Sequence, residues 1–250
     1  MLITLGRGLA PAGKGGGNAV GALPHLTDLV PGLTANWEPY YANSLAEALI
    51  DTTGNGHHMT AVGSPTLALI NGAANGLGLN GLEGNYTTCH SIAQLAGGDS
   101  SPYAIVWVVE QNTDESDDHW GFRNSSASDP YQSFRTDVSE RYYTARRDDF
   151  GIGASVLTGP QVAPGCHVLI LSFSGSSATL YRNGNAVPEF DNATISTGRV
   201  TWNEFRFGLN NDGFSGYSGK AALCAFKSAG VFAAEEVATI TNFLKLKYGI

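Results

Sequence analysis

Tyr103-Ala104-Ile105-Val106-Trp107-Val108-Val109 is the stretch on which the fold turns. Its run of apolar residues, rich in β-branched and aromatic side chains, reads as a central strand buried on both faces. His167 to Phe173 is a second run of the same kind. Ala178 to Arg182 follows, and Asn183-Gly184, the strongest short-range hairpin signal, then turns the chain back toward Ala186-Val187. Glu204-Phe205-Arg206-Phe207-Gly208 alternates as a half-buried strand does, and Lys220 to Phe226 is a last apolar strand. The chain's 32 glycines suit many tight turns. Together these features predict an all-β fold, a two-sheet antiparallel jelly-roll sandwich formed as one unit of the 250-residue chain.

Helical periodicity is convincing once. Val237, Ile240, Phe243, Leu244 and Leu246 share one face, with Glu235 and Glu236 in the first turn and Lys245 and Lys247 in the last, an order that complements the helix dipole. Gly249 ends this helix, whose apolar face must dock on the sandwich. At the other end, residues 1–22 hold Gly6, Gly8, Gly13, Gly15, Gly16, Gly17 and Gly21 and too few apolar side chains to offset chain entropy, so they read as a flexible arm. Leu26 to Tyr41 turns apolar and aromatic and could be a first strand laid onto the body. The expected division is an arm and attachment segment over 1–40 and a sandwich over 41–250. Between about 111 and 135 the chain is rich in Asn, Asp and Ser and reads as a long irregular loop.

The bulk chemistry narrows the function. A formal charge of −8, with only 14% charged residues, leaves no electrostatic footprint for nucleic acid or anionic lipid. No apolar stretch approaches the ~20 residues that cross a bilayer, so no membrane insertion is expected. The start at Met1 lacks a basic segment followed by an apolar run, which predicts folding in the cytosol without export by the standard signal. Cys89, Cys166 and Cys224 are far apart with no CxxC spacing and read as isolated thiols. His25, His90 and His167 read as packing or surface positions.

Three segments in order resemble the concanavalin A-like lectin/glucanase superfamily in its laminin G-like branch. Asp51-Thr52-Thr53-Gly54-Asn55-Gly56-His57-His58 is similar to the D-x-[ST]-G-N-G-x-H opening of such domains. Leu180-Tyr181-Arg182-Asn183-Gly184 resembles their "LYVNG" hairpin. Phe207-Gly208 through Phe214-Ser215-Gly216-Tyr217-Ser218-Gly219 to Ala221-Ala222-Leu223, then Ala234-Glu235-Glu236 and a helix ending Lys247-Tyr248-Gly249, resembles their last strand and terminal helix. The likeness covers roughly residues 41–250. Domains of this kind with a Gly-rich N-terminal arm look like virion proteins of tailed bacteriophages. The resemblance therefore implies a non-enzymatic structural protein, a homo-oligomer assembled in the host cytoplasm into a virion. Its implied partners are other virion subunits and a cell-surface glycan.

The glycoside hydrolases of that superfamily carry Glu-x-Asp-x-x-Glu on one strand, which puts three carboxylates on one face. The nearest match here, Glu115-Ser116-Asp117-Asp118-His119-Trp120, has Trp in the place of the second Glu, and no catalytic residues are assigned. Glu189-Phe190-Asp191 offers too few oxygen ligands for the calcium of legume-type lectins, and no metal or cofactor is expected. Gly8-Leu9-Ala10-Pro11-Ala12-Gly13-Lys14 has phosphate-loop spacing, but Gly15 stands where a hydroxyl would hold Mg²⁺. The acidic run from Asp114 to Asp118 reads first as a solvated loop, with weak calcium chelation as its alternative. Aromatic rings in polar contexts are the better ligand candidates: Trp120, Tyr131 and Tyr217, with Asn211 and Asp212 as hydrogen-bonding neighbours. The alternatives to the virion reading are a free-standing carbohydrate-binding lectin and a divergent glycoside hydrolase.

Overall fold

The computed structural model describes residues 24–98, 101–111, 117–126, 130–136, 139–150, 155–174, 176–187, 190, 193–194, 198–209 and 216–250. Sixteen strands and four α-helices follow one another along them. The first half holds α1 (Leu26–Leu29), β1 (Ala35–Asn36), α2 (Leu45–Ala48), β2 (Thr60–Val62), β3 (Thr66–Ile70), β4 (Ala74–Asn80), β5 (Tyr86–Thr88), α3 (His90–Ala96), β6 (Tyr103–Gln111) and β7 (Asp117–Arg123). Then come β8 (Tyr131–Thr136), β9 (Arg141–Arg147), β10 (Ser155–Gln161), β11 (Gly165–Ser174), β12 (Ser177–Arg182), β13 (Asn185–Ala186) and β14 (Ala193–Thr194). The chain closes with β15 (Glu204–Phe207), β16 (Ser218–Ser228) and α4 (Ala234–Tyr248).

Two antiparallel sheets face each other. The back sheet runs β13-β12-β11-β6-β16-β4-β3, with β1 beside β16 and β14 beside β12, and the front sheet runs β10-β9-β8-β7-β15-β5-β2. The apolar run at 103–109 is the centre of the back sheet, paired with β11 on one side and β16 on the other. Its side chains divide by strand parity. Ile105, Trp107 and Val109 join Leu169, Leu171 and Leu223 in the core between the sheets. Ala104, Val106 and Val108 join Val168, Ile170 and Ala222 in a second core on the outer side. That second core is closed by Val237, Ile240, Phe243, Leu244 and Tyr248 of α4. Hence the run has no polar residue: both of its faces are interior.

The terminal helix is held at both ends. The Ala233 backbone N–H donates to Glu236 Oε2 at 2.8 Å, and Gly249 takes the left-handed conformation (φ 66°) that closes the C-terminus. In the β12–β13 hairpin, Asn183 (φ 53°) and Gly184 (φ 90°) supply the two positive φ values of a two-residue turn. The Asp51 motif has a structural use. Asp51 is buried and accepts from the backbone N–H groups of Asn36, Thr53 and His57, each at 3.0 Å, tying the loop to β1. Burial works against its charged form, but these N–H groups outweigh it and hold the carboxyl below its ordinary range.

One expectation needs correction and two are refined. Leu26 to Trp37 is laid onto the body: Leu26 and Val30 are buried, α1 packs on α4, and Thr34 and Trp37 donate to the carbonyls of Phe226 and Cys224. Residues 1–23, the Gly-rich part of the expected arm, lie outside the described residues. The stretch read as an irregular loop contains β7 and β8, because Trp120, Phe122 and Phe134 alternate with small and charged residues as a half-exposed sheet requires. Finally, α1, α2 and α3 accompany the one helix that periodicity revealed; the longest of them, α3, has seven residues, too short a window for a helical repeat to stand out.

Candidate functional site

The back sheet is covered by α4, whereas the front sheet presents its outer face away from both cores. Parity along the front strands assigns that face. In β9, Tyr142 is buried inward and Thr144 and Arg146 share its side, so Arg141, Tyr143, Ala145 and Arg147 point outward. In β8, Phe134 is inward and Tyr131, Ser133 and Arg135 are outward. In β7 and β15, Trp120, Phe122, Phe205 and Phe207 are inward, leaving Gly121, Arg123, Glu204 and Arg206 outward.

Register lines these residues up across the strands. One row is Glu204, Arg123, Tyr131 and Arg147. The next is Thr88, Arg206, Gly121, Ser133 and Ala145. The third is Asp118, Arg135, Tyr143 and Thr158. The middle row is small over three adjacent strands, so the face is a trough with a floor of Gly121, Ser133 and Ala145 between two walls of long side chains. Rows two residues apart are about 6.7 Å from each other, so the walls stand ~13 Å apart, and four strands at ~4.8 Å spacing give the trough a length of ~14 Å.

The walls are cationic and aromatic. Five of the chain's nine arginines are on this face: Arg123, Arg135, Arg141, Arg147 and Arg206. The Arg135 guanidinium lies 4.3 Å from the centre of the Tyr143 ring, and Arg206 lies 5.6 Å from that of Tyr86. Glu204 sits between Arg123 at 3.3 Å and Arg206 at 3.2 Å, which fixes both forks at one end of the trough. The floor is only 6% exposed at Ser133 and 3% at Ala145, so a ligand would meet the guanidinium and tyrosine layer above it.

The residues singled out from sequence fall in different places. Tyr131 stands in the first wall, partly exposed. Trp120 does not reach a ligand: it is fully buried, stacked on Phe134 at 5.8 Å and edge-on to Trp107. Tyr217 is likewise fully buried, its hydroxyl donating to the Glu110 carbonyl at 2.6 Å. A reading of local context misses both, because neighbours along the chain do not tell on which side of the sheet a ring lies. Asn211 and Asp212 lie outside the described residues, as do Asp114, Glu115, Ser116, Glu189 and Asp191. Among the described residues no cluster of three His, Cys, Asp or Glu side chains could hold a metal ion, and no helix is long and apolar enough to cross a membrane. The wall arginines carried a signal that went unused: Tyr131-x-Ser133-x-Arg135 and Arg141-x-Tyr143-x-Ala145-x-Arg147 repeat with a period of two.

A buried polar relay lies beneath the trough. A β-bulge between Asp118 and Trp120 turns His119 inward. The Trp107 indole N–H donates to His119 Nδ1 at 3.1 Å, which leaves the proton on Nε2, 3.2 Å from Thr136 Oγ1; that hydroxyl donates to Gln111 Oε1 at 3.1 Å. Burial, with His167 nearby, pushes the imidazole down to about 3, so it is neutral. The relay fastens β6 to β7 and β8 and does not open onto the trough.

No family model matches the chain, and no curated protein matches it. Solved structures are similar to it. Domain 4 of AbnA, an extracellular GH43 arabinanase from Geobacillus stearothermophilus solved in complex with arabinotriose, is 18% identical, with a TM-score of 0.53 over 84% of this chain and 98% of that one. The botulinum neurotoxin serotype D binding domain is 11% identical, with a TM-score of 0.59 over 86% of this chain. A Trypanosoma rangeli sialidase in complex with 2,3-difluorosialic acid is 12% identical, with a TM-score of 0.54 over 85% of this chain. The chain spans 53% of the neurotoxin-domain chain and 33% of the sialidase chain. At these identities the likeness concerns architecture alone: the protein has a lectin-like β-sandwich fold.

Proposed function

We propose that the protein is a carbohydrate-binding sandwich that holds its ligand in the front-sheet trough without cleaving it. The observation that carries this reading is the trough itself: a floor of Gly121, Ser133 and Ala145 between walls that set tyrosine rings beside guanidinium donors. Sugar rings present apolar faces and a rim of hydroxyls, and walls of this composition match both. The arabinanase domain, similar over 98% of its chain, was solved with arabinotriose bound, which supports the class of ligand.

Hydrolysis is left out of the proposal because Glu204 is engaged by two guanidiniums, and Asp118, the carboxylate of the opposite wall, is only 1% exposed. A glycan array followed by calorimetry tests the reading. Tyr131→Ala and Arg135→Ala should each weaken binding of the best glycan about tenfold or more with the far-UV spectrum unchanged, and the bound glycan should gain no new reducing ends. Silence across a broad array would reject it. The finer setting, a homo-oligomer in a tailed-phage virion with residues 1–23 joined to a neighbouring subunit, rests on the sequence resemblance. Incorporation of the full chain into particles, lost on removal of residues 1–23, is its expected outcome.

A further inference from the structure

We infer that the trough selects glycans that carry carboxylates, an inference that rests on the trough being the glycan site. The charge distribution points there. The chain is acidic overall at −8, yet this one face gathers five guanidiniums against the carboxylates of Glu204 and Asp118. An acidic protein that concentrates its arginine on one face repels anions generally and attracts them at that face.

The kind of cation narrows the ligand further. Among the described residues every cation of the trough is an arginine, whereas Lys220 and Lys227 stand on β16 and Lys245 and Lys247 on α4. A lysine is a point charge, and a surface built only to attract anions would use either residue. A planar guanidinium offers two parallel N–H donors that match the two oxygens of a carboxylate. Glu204 already shows a carboxylate paired with guanidiniums on this face: it is held between Arg123 and Arg206. Arg147 and Arg135 stand on opposite walls, with Ser133 and Ala145 between them and Tyr131 and Tyr143 beside them. A uronic acid residue lying over that floor would place its ring against a tyrosine and its carboxylate at a guanidinium fork.

The test compares four probes on the full-length protein: polygalacturonate, the same polymer after carboxyl reduction to neutral galactan, dextran sulfate, and single-stranded DNA. The expected result is binding of polygalacturonate that falls at least tenfold on carboxyl reduction and exceeds binding of dextran sulfate and of DNA. Arg135→Lys and Arg147→Lys keep the charge and should each weaken polygalacturonate at least tenfold, with thermal unfolding unchanged. Equal binding of native and reduced polymers would overturn the inference while leaving the glycan-binding reading in place. Equal binding of dextran sulfate or DNA, with no effect of the lysine variants, would overturn it in favour of unselective charge attraction. Failure to bind any glycan would sink both readings together.

Discussion

Single residues in this protein do more structural work than their local sequence suggests. His119 lies in a polar stretch, yet the bulge in β7 carries it into the core, where its neutral form joins Trp107 to Thr136. The protonation sign follows from its burial. The folded imidazole titrates near 3 and the unfolded one near 6.5, so between those values only the unfolded chain binds the proton. Its contribution to stability is complete above about pH 6.5 and declines by ~1.4 kcal/mol per pH unit as the solution is acidified. His167, also held down by burial, contributes in the same direction. Denaturant midpoints measured from pH 7 to 4.5 should therefore fall more steeply for the wild type than for His119→Gln, and parallel profiles would contradict the buried neutral assignment. Asp51 takes the opposite kind of role: its carboxylate gathers three backbone N–H groups, so the motif that resembled a family signature organises a loop and leaves no oxygen oriented toward a ligand.

At the level of elements, α4 shows how a helix legible in sequence acquires its meaning from a partner. Its stripe of Val237, Ile240, Phe243 and Leu244 was readable from spacing, and so were its acidic start and basic end. What it covers was not readable, because the outer residues of β6, β11 and β16 come together only when those strands pair. Ile240 is completely buried in that contact. Ile240→Ala should lower the unfolding free energy by about 2–5 kcal/mol in chemical denaturation, the range for truncating a buried aliphatic side chain. A loss below about 1 kcal/mol would mean that α4 is only loosely docked. The loop expected over 111–135 failed as a reading for the complementary reason: strands with one solvated face carry many polar residues, and the composition of β7 and β8 hides their alternation.

Over the whole molecule, two cores share one sheet. Trp107 faces the inner core and its neighbours Val106 and Val108 the outer one, so neither core can open without disturbing β6. Trp37, Trp107, Trp120 and Trp202 are all buried between the sheets, whereas the longest helix lies behind the back sheet. Tryptophan fluorescence and the helical circular dichroism signal should therefore report coincident unfolding midpoints, and an earlier loss of the helical signal would show the outer core to be a separate unit.

The chain's own pattern was enough to establish that the runs at 103–109, 167–173, 178–182, 204–207 and 220–226 become strands, where the Asn183-Gly184 hairpin turns, that a helix closes the C-terminus, and that the product is a β-sandwich. These are matters of local period and turn chemistry, carried within a few residues. Only the tertiary structure decided that Trp120 and Tyr217 are interior, that the body begins by Leu26, and that arginines from β7, β8 and β9 stand in two walls around a floor of small residues. The physical reason is register. Alternation along a strand tells which residues share its face, but the neighbours across strands are set by long-range pairing, which no local stretch of sequence contains.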